Sequence, residues 1–118
     1  MDQNKLRRLN EDCHRALTVI LRRVKDPRIP EFLTVVRVSL SGDLSCCNIY
    51  VSTLGGLEET QKAIEGLKSA SGFIRRELGK AMHTYKVADL RFFADTTMEH
   101  SARIEKLLDD LRPEERSK

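Results

Sequence analysis

The chain has 118 residues, of which 40% are hydrophobic and 33% are charged, and its formal net charge is +3. This length fits one domain around one hydrophobic core, and the composition excludes a largely disordered protein. No apolar run approaches the roughly 18 residues of a membrane-spanning helix, and the N-terminal segment carries charges where a signal peptide is apolar, so a cytoplasmic protein is expected.

The first predicted element is an amphipathic helix. From Leu6 to Val24, apolar residues recur mostly at steps of three or four, which is the spacing of one buried helix face. Asp2 is a suitable N-cap, and Pro27 disfavours helical geometry in the residue before it, so the helix must end before Asp26. Three arginines recur every seven residues opposite the apolar face: Arg8, Arg15 and Arg22.

Two strands follow and form a predicted β-hairpin. Residues 34 to 40 and 44 to 53 are rich in β-branched side chains and are separated by a Ser41-Gly42-Asp43 turn. Strict alternation predicts that the first strand presents two faces. One face carries Val36, Val38 and Leu40, and the other carries Val35, Arg37 and Ser39.

Residues 57 to 83 carry one helical apolar stripe that small residues interrupt at Ala70, Ser71 and Gly72. Because glycine costs a helix interior about 1 kcal/mol and glycine beside serine favours kinks, two helices meeting at a bend are predicted. A larger side chain at Gly72 is then expected to strain the backbone, if the glycine is non-helical or tightly packed. The alternative is a glycine that admits close helix packing.

The last elements are a third strand and a final helix. Residues 87 to 94 alternate apolar and polar side chains, with Phe92 on the predicted core side. Residues 96 to 99 offer a capping box, and Pro113 closes an amphipathic helix behind it. The prediction is therefore an α+β domain spanning residues 1 to 111, followed by a flexible tail at residues 112 to 118.

Catalysis finds little support in the sequence. Phosphate-binding loops, nucleophile elbows and zinc-protease motifs are all missing, and adjacent helical residues such as Cys13 and His14 point about 100° apart. Cys46 and Cys47 lack a partner at metal-ligand spacing, so a small apolar role in a strand is expected. We therefore predict no enzyme activity, no metal, no cofactor and no small-molecule substrate. An enzyme would need a convergent polar pocket that the sequence does not indicate.

Charge is distributed unevenly along the chain. Residues 1 to 28 and 61 to 93 each carry a net charge of +4, whereas the blocks between and after them are acidic. Two basic segments can build one phosphate-facing surface if folding brings them together, and the few aromatic residues favour phosphate and shape recognition over base stacking. The predicted RNA-binding residues are Arg8, Arg15, Arg22, Arg75, Arg76, Lys80 and Lys86. The alternatives are a solvated helix surface, or a protein-interaction module on the same scaffold.

Several short motifs, taken in their order along the chain, resemble the bacterial ribosome-binding factor A family over residues 6 to 111. They are Lys25-Asp26-Pro27-Arg28, Asp43-Leu44-Ser45, Ile49-Tyr50-Val51-Ser52, Ala70-Ser71-Gly72-Phe73-Ile74-Arg75 and Leu90-Arg91-Phe92. The resemblance implies a type II K-homology fold of order αββααβ, in which helices cover one face of a three-stranded sheet. It also implies that Ala70, Ser71 and Gly72 form an Ala-x-Gly kink in place of the usual G-x-x-G loop.

The same resemblance implies a function in ribosome assembly. A monomer is expected to bind the free small ribosomal subunit and its 16S-type rRNA, to assist late maturation and rRNA processing, and to support growth in the cold. Two departures from the family pattern stand out. Residues 83 to 88 replace a segment that usually contains an Arg and a Pro, which leaves the loop conformation there open. Asn48 stands where a basic residue is common, which reduces the contribution to RNA contact expected of the hairpin. A bacterial and an organellar origin both remain open.

Overall fold

The structure is a computed structural model that describes residues 2–83 and 89–95. Its helices and strands, in chain order, are α1 (Gln3–Arg22), β1 (Thr34–Leu40), β2 (Cys46–Ser52), α2 (Leu57–Ser69), α3 (Ser71–Met82) and β3 (Asp89–Ala94). The predicted αββααβ order is therefore confirmed. Lys86, the predicted final helix and the predicted tail lie outside the described residues.

The three strands form one mixed sheet in the order β1-β2-β3. β1 and β2 are antiparallel, whereas β3 lies parallel to β2. Parallel neighbours need a long crossover, which the α2 and α3 segment provides, and only the antiparallel pair can be joined by a tight turn. In that turn Asp43 accepts hydrogen bonds from the hydroxyls of Ser41 and Ser45 at 2.8 and 2.7 Å.

The side-chain alternation of β1 differs from the prediction because the strand contains a β-bulge. The register shifts between Val35 and Arg37, so Val36 is an extra residue in the ladder. Val35 is buried with Val38, whereas Val36 is 42% exposed. The prediction grouped Val36 with Val38 and Leu40, and Val35 with Arg37 and Ser39, and it is wrong at Val35 and Val36 only. Downstream of the bulge, the predicted faces are confirmed.

The first helix begins where predicted and also covers the outer edge of β1. Asp2 caps it by accepting a hydrogen bond from the backbone N–H of Asn4 at 3.2 Å. His14 Nε2 donates to the carbonyl of Val35 at 2.8 Å, and the Asn10 side chain accepts from the N–H of Leu40 at 2.7 Å. Side chains of α1 therefore form hydrogen bonds with two backbone groups of this edge strand.

One hydrophobic core joins the three helices to a single face of the sheet. The largest fully buried side chains are Leu17, Ile49, Leu67, Ile74, Val51, Cys13 and Cys47. The thiols of Cys13 and Cys47 lie 3.8 Å apart, and this contact together with burial raises the pKa of the Cys47 thiol. Both cysteines pack as small apolar side chains, and Cys13 is only 1% exposed.

The segment that joins the last two helices differs in detail from the prediction. Ala70 separates α2 from α3, and the Ser71 hydroxyl donates to the carbonyl of Lys68 at 2.6 Å. Gly72 lies within α3, and a Cβ atom there would meet nothing within 4 Å. Neither condition for strain at Gly72 holds. The glycine that admits close packing is Gly66, whose added Cβ would lie 3.0 Å from Ile29 Cγ1 and 3.1 Å from Asp26 Cγ.

Candidate nucleic-acid interface

A groove between α1 and α3 brings the two basic segments of the sequence together. Arg15 of α1 and Lys80 of α3 both line it, with Arg23 and Glu77 between them. Glu77 is 3.4 Å from the Arg23 guanidinium and 3.7 Å from the Lys80 ammonium group. The Arg23 guanidinium also lies 5.6 Å from the ring centroid of Phe73. Asp12 also lines the groove, so its charged lining comprises three cations and two carboxylates.

The remaining predicted residues lie around this groove or away from it. Arg8 and Arg22 are exposed on the side of α1 that also carries Arg15, because positions seven apart share a helix face. Arg76 is exposed one turn before Lys80. Arg75 differs, because its guanidinium lies 3.7 Å from the Asp89 carboxylate at the start of β3. We call Arg8, Arg15, Arg22, Arg76 and Lys80 the helix-side basic surface.

Arg23 was not among the predicted residues. On α1 it lies between the arginine stripe and the apolar face, and only the packing of α3 shows that it borders the groove. The neighbouring pair Arg22-Arg23 was the one available signal in the sequence.

The loop after α1 is fixed to the end of α2. Arg28 donates two hydrogen bonds to the carboxylate of Asp26, at 3.0 and 2.8 Å, and a third to the Ser69 hydroxyl at 3.1 Å. The side chain and then the backbone N–H of Arg28 lower the pKa of Asp26 to about 2. Together with Gly66, these contacts place the motif Lys25-Asp26-Pro27-Arg28 against the segment that precedes α3. The motif has a structural role in positioning that segment.

The other face of the sheet carries an arrangement that the sequence did not predict. The rings of Tyr50 and Phe93 are stacked, with centroids 5.3 Å apart and planes inclined by 25°. The guanidinium of Arg37 lies 4.2 Å from the Tyr50 ring centroid. Strand register places these three side chains in one row, and the next row contains Ser39, Asn48 and Arg91. We call these two rows the open sheet face.

Residues 2–83 and 89–95 contain no group of three His, Cys, Asp or Glu side chains that can hold a metal ion. Nor does this part of the chain contain a helix long and apolar enough to cross a membrane. His83 ends α3 in a left-handed conformation.

Fold and site together define a small α+β domain with a mixed three-stranded sheet and a basic surface on its helical side. The model of the family "Ribosome-binding factor A" matches residues 5–108, almost the whole chain. The chain belongs to the ribosome-binding factor A family.

Individual relatives agree with this assignment. A ribosome-binding factor A of Halothermothrix orenii is 38% identical over 118 residues, which cover 99% of this chain and 96% of the relative. The crystal structure of ribosome-binding factor A from Thermus thermophilus matches with a TM-score of 0.68 at 27% identity, covering 75% of this chain and 93% of that one. A homology model of the Thermus thermophilus factor, fitted into a cryo-electron microscopy map of a 30S complex, matches with a TM-score of 0.64 at 27% identity and the same coverage.

Proposed function

We propose that this protein binds the free small ribosomal subunit and its rRNA through the helix-side basic surface. The observation that carries the proposal is the meeting of Arg15 and Lys80 in one groove, since they come from the two basic segments of the sequence. Membership of the ribosome-binding factor A family supports it, as does the 30S complex of the Thermus thermophilus relative. The protein then assists late maturation of the subunit and rRNA processing, and supports growth in the cold.

Phosphate contacts supply most of the binding energy on such a surface. Exposed arginine and lysine side chains neutralise phosphates and release counterions, so affinity falls steeply as salt rises. If about four to six phosphates are neutralised, the logarithm of affinity falls with the logarithm of salt at a slope of roughly −3 to −5. Arg75 contributes less than Arg76, because Asp89 already lies beside the Arg75 guanidinium.

The finer features of the fold belong to the same proposal. Ala70, Ser71 and Gly72 replace the nucleotide-clamping loop of type II K-homology domains, so single-strand clamping by that loop is not part of the mechanism. Ser71 supports this, because its hydroxyl is already used by the carbonyl of Lys68. The sequence predicts an additional amphipathic helix at residues 96 to 111 and adds Lys86 to the basic surface, and both lie outside the described residues. The protein acts as a monomer.

Subunit profiling tests the proposal directly. Purified protein is mixed with small subunits, large subunits or complete ribosomes and sedimented through a sucrose gradient. We expect co-migration with small subunits only, and its loss in the double variant Arg15→Glu and Lys80→Glu. The matched control is Lys5→Glu with Lys62→Glu, which changes the charge equally at exposed positions away from the groove lining. Small-subunit binding that changes neither with salt nor in either double variant would favour the protein-interaction module instead, because an apolar interface responds weakly to salt.

A further inference from the structure

The open sheet face has the chemical composition of a surface that binds unpaired RNA. Its first row consists of Arg37, Tyr50 and Phe93, contributed by β1, β2 and β3 in that order. The second row contains Ser39, Asn48 and Arg91. Within residues 2–83 and 89–95 the helices pack on the opposite face, and every side chain of these two rows is exposed or partly exposed.

The first row is a preformed stack. The Tyr50 ring lies between the Phe93 ring and the Arg37 guanidinium. The ring centroids of Tyr50 and Phe93 are 5.3 Å apart, and the Arg37 guanidinium lies 4.2 Å from the Tyr50 ring centroid. Phe93 keeps 41% of its surface exposed, although a phenylalanine ring gains by burial. An aromatic base that stacks on Phe93 would extend a row whose geometry is already fixed, so little side-chain ordering is needed on binding.

The second row supplies the groups that a sugar-phosphate backbone and base edges require. Arg91 is exposed on the same face of β3 as Phe93, two residues before it. Asn48 and Ser39 are neutral hydrogen-bond donors and acceptors. The acidic residue at the start of β3, Asp89, lies 3.7 Å from the guanidinium of Arg75, which partly balances its charge. Asp95 lies beyond the first row at the other end of the strand. The two rows themselves contain two cations and no anion.

We propose that the open sheet face is a second RNA-binding site, which holds an unpaired strand by stacking a base on Phe93 and by contacting its phosphates with Arg37 and Arg91. This site is separate from the helix-side basic surface and lies on the opposite face of the sheet. This second site rests on the proposed function in one respect only, namely that the small subunit is the source of the RNA. An unpaired strand fits better than a duplex, because a paired base cannot present its face to a side chain.

The test compares two substitutions at one position with an RNA of about ten nucleotides that cannot pair with itself. Phe93→Leu keeps the apolar contact but removes the ring, and Phe93→Tyr keeps the ring. We expect the leucine variant to bind about 5- to 150-fold more weakly, equivalent to about 1 to 3 kcal/mol, and the tyrosine variant to bind like the parent. An abasic strand of the same length should bind the parent and the leucine variant equally, since it retains phosphates without bases.

Two further measurements locate the contact and guard against misfolding. Amide chemical shifts of the labelled protein should change on β1, β2 and β3 when RNA is added, and melting temperatures should show that each variant is folded. Arg91→Gln at an exposed position should reduce the magnitude of the salt slope by about 0.7. Equal RNA binding by the parent and Phe93→Leu, with shifts confined to α1 and α3, would overturn the proposal. A second result would also overturn it: Phe93→Leu loses subunit binding, while free RNA binds neither the parent nor any variant. The open sheet face would then bind a protein.

The two proposals fail separately. Arg15→Glu with Lys80→Glu should lose small-subunit binding while the sensitivity of short-RNA affinity to Phe93→Leu persists. If subunits never bind but that sensitivity is present, the proposed function fails and the second site stands. If subunits bind through Arg15 and Lys80 but RNA affinity ignores the ring at position 93, only the second site fails.

Discussion

The two faces of the sheet differ in the means of RNA recognition that we propose for them. On the helical side, Arg15 and Lys80 extend charged groups on long stems that reach phosphates over a distance, and Glu77 moderates them. On the open side, Tyr50 and Phe93 are fixed against each other and act only on a base in direct contact. The first arrangement provides long-range attraction that salt screens, and the second provides short-range selection of unpaired bases. One small domain can therefore use one face for long-range attraction and the other for the selection of unpaired bases.

The largest expected effect comes from reversing charge on the helical side. Changing Arg75, Arg76 and Lys80 together to Glu should abolish small-subunit binding and flatten its salt dependence, while the melting temperature stays within a few degrees because exposed charges add little stability. Sedimentation and thermal melting measure both. Changing Lys5, Lys25 and Lys62 to Glu is the control with equal charge. Subunit binding by the triple variant at parental strength across the salt range would mean that these residues are only a solvated surface.

The salt dependence of small-subunit binding should be steeper than that of short-RNA binding, by a factor of about 1.5 or more. Small-subunit binding is expected at a slope of roughly −3 to −5, whereas a short unpaired RNA held by two arginines should give about −1 to −2. The second slope is measured in the Arg15→Glu, Lys80→Glu background, so that the helical side does not contribute. Equal slopes would show that both ligands use one surface.

A pair of glycine substitutions tests the scaffold on which both faces depend. Gly66→Ala adds a Cβ atom about 3 Å from side chains of Asp26 and Ile29, whereas Gly72→Ala adds one in open space. Both gain up to about 1 kcal/mol of helix propensity, but crowding at Gly66 should cost about 1 to 3 kcal/mol. The Gly66 variant should therefore unfold more easily than the Gly72 variant in urea. If the two variants are equally stable, the loop does not press against α2 as the structure shows.

The smallest effect concerns the ion pair in that loop. The pKa of Asp26 is lowered to about 2, chiefly by hydrogen bonds from the Arg28 side chain, so its stabilising contribution is complete above its unfolded pKa of about 4. As pH falls from about 4 towards 2 the carboxylate is protonated in the folded state and the contribution is lost. Asp26→Asn should therefore melt below the parent at pH 7, and the difference should shrink between about pH 4 and 2. A difference that is constant with pH would assign the effect to packing.

Periodic features of this molecule could be predicted from its sequence, and features created by contact between distant strands could not. The α1 stripe, the strand bounds of β1 and the division of residues 57 to 82 into two helices follow from local spacing and small residues, and the structure confirms them. The bulge at Val36 depends on the register with β2, which no local pattern encodes. For the same reason the row from Arg37 to Phe93 was missed, because its members are neighbours only after β3 pairs beside β2.

The contacts between α1 and β1 have a consequence for how the protein behaves at high concentration. An edge strand with free backbone groups is a template for pairing with another chain, which leads to aggregation. On β1 the carbonyl of Val35 and the N–H of Leu40 are already bonded to His14 and Asn10, and the bulge at Val36 interrupts the ladder. Two polar side chains of α1 thereby protect the domain from strand addition, quite apart from any part in folding or binding.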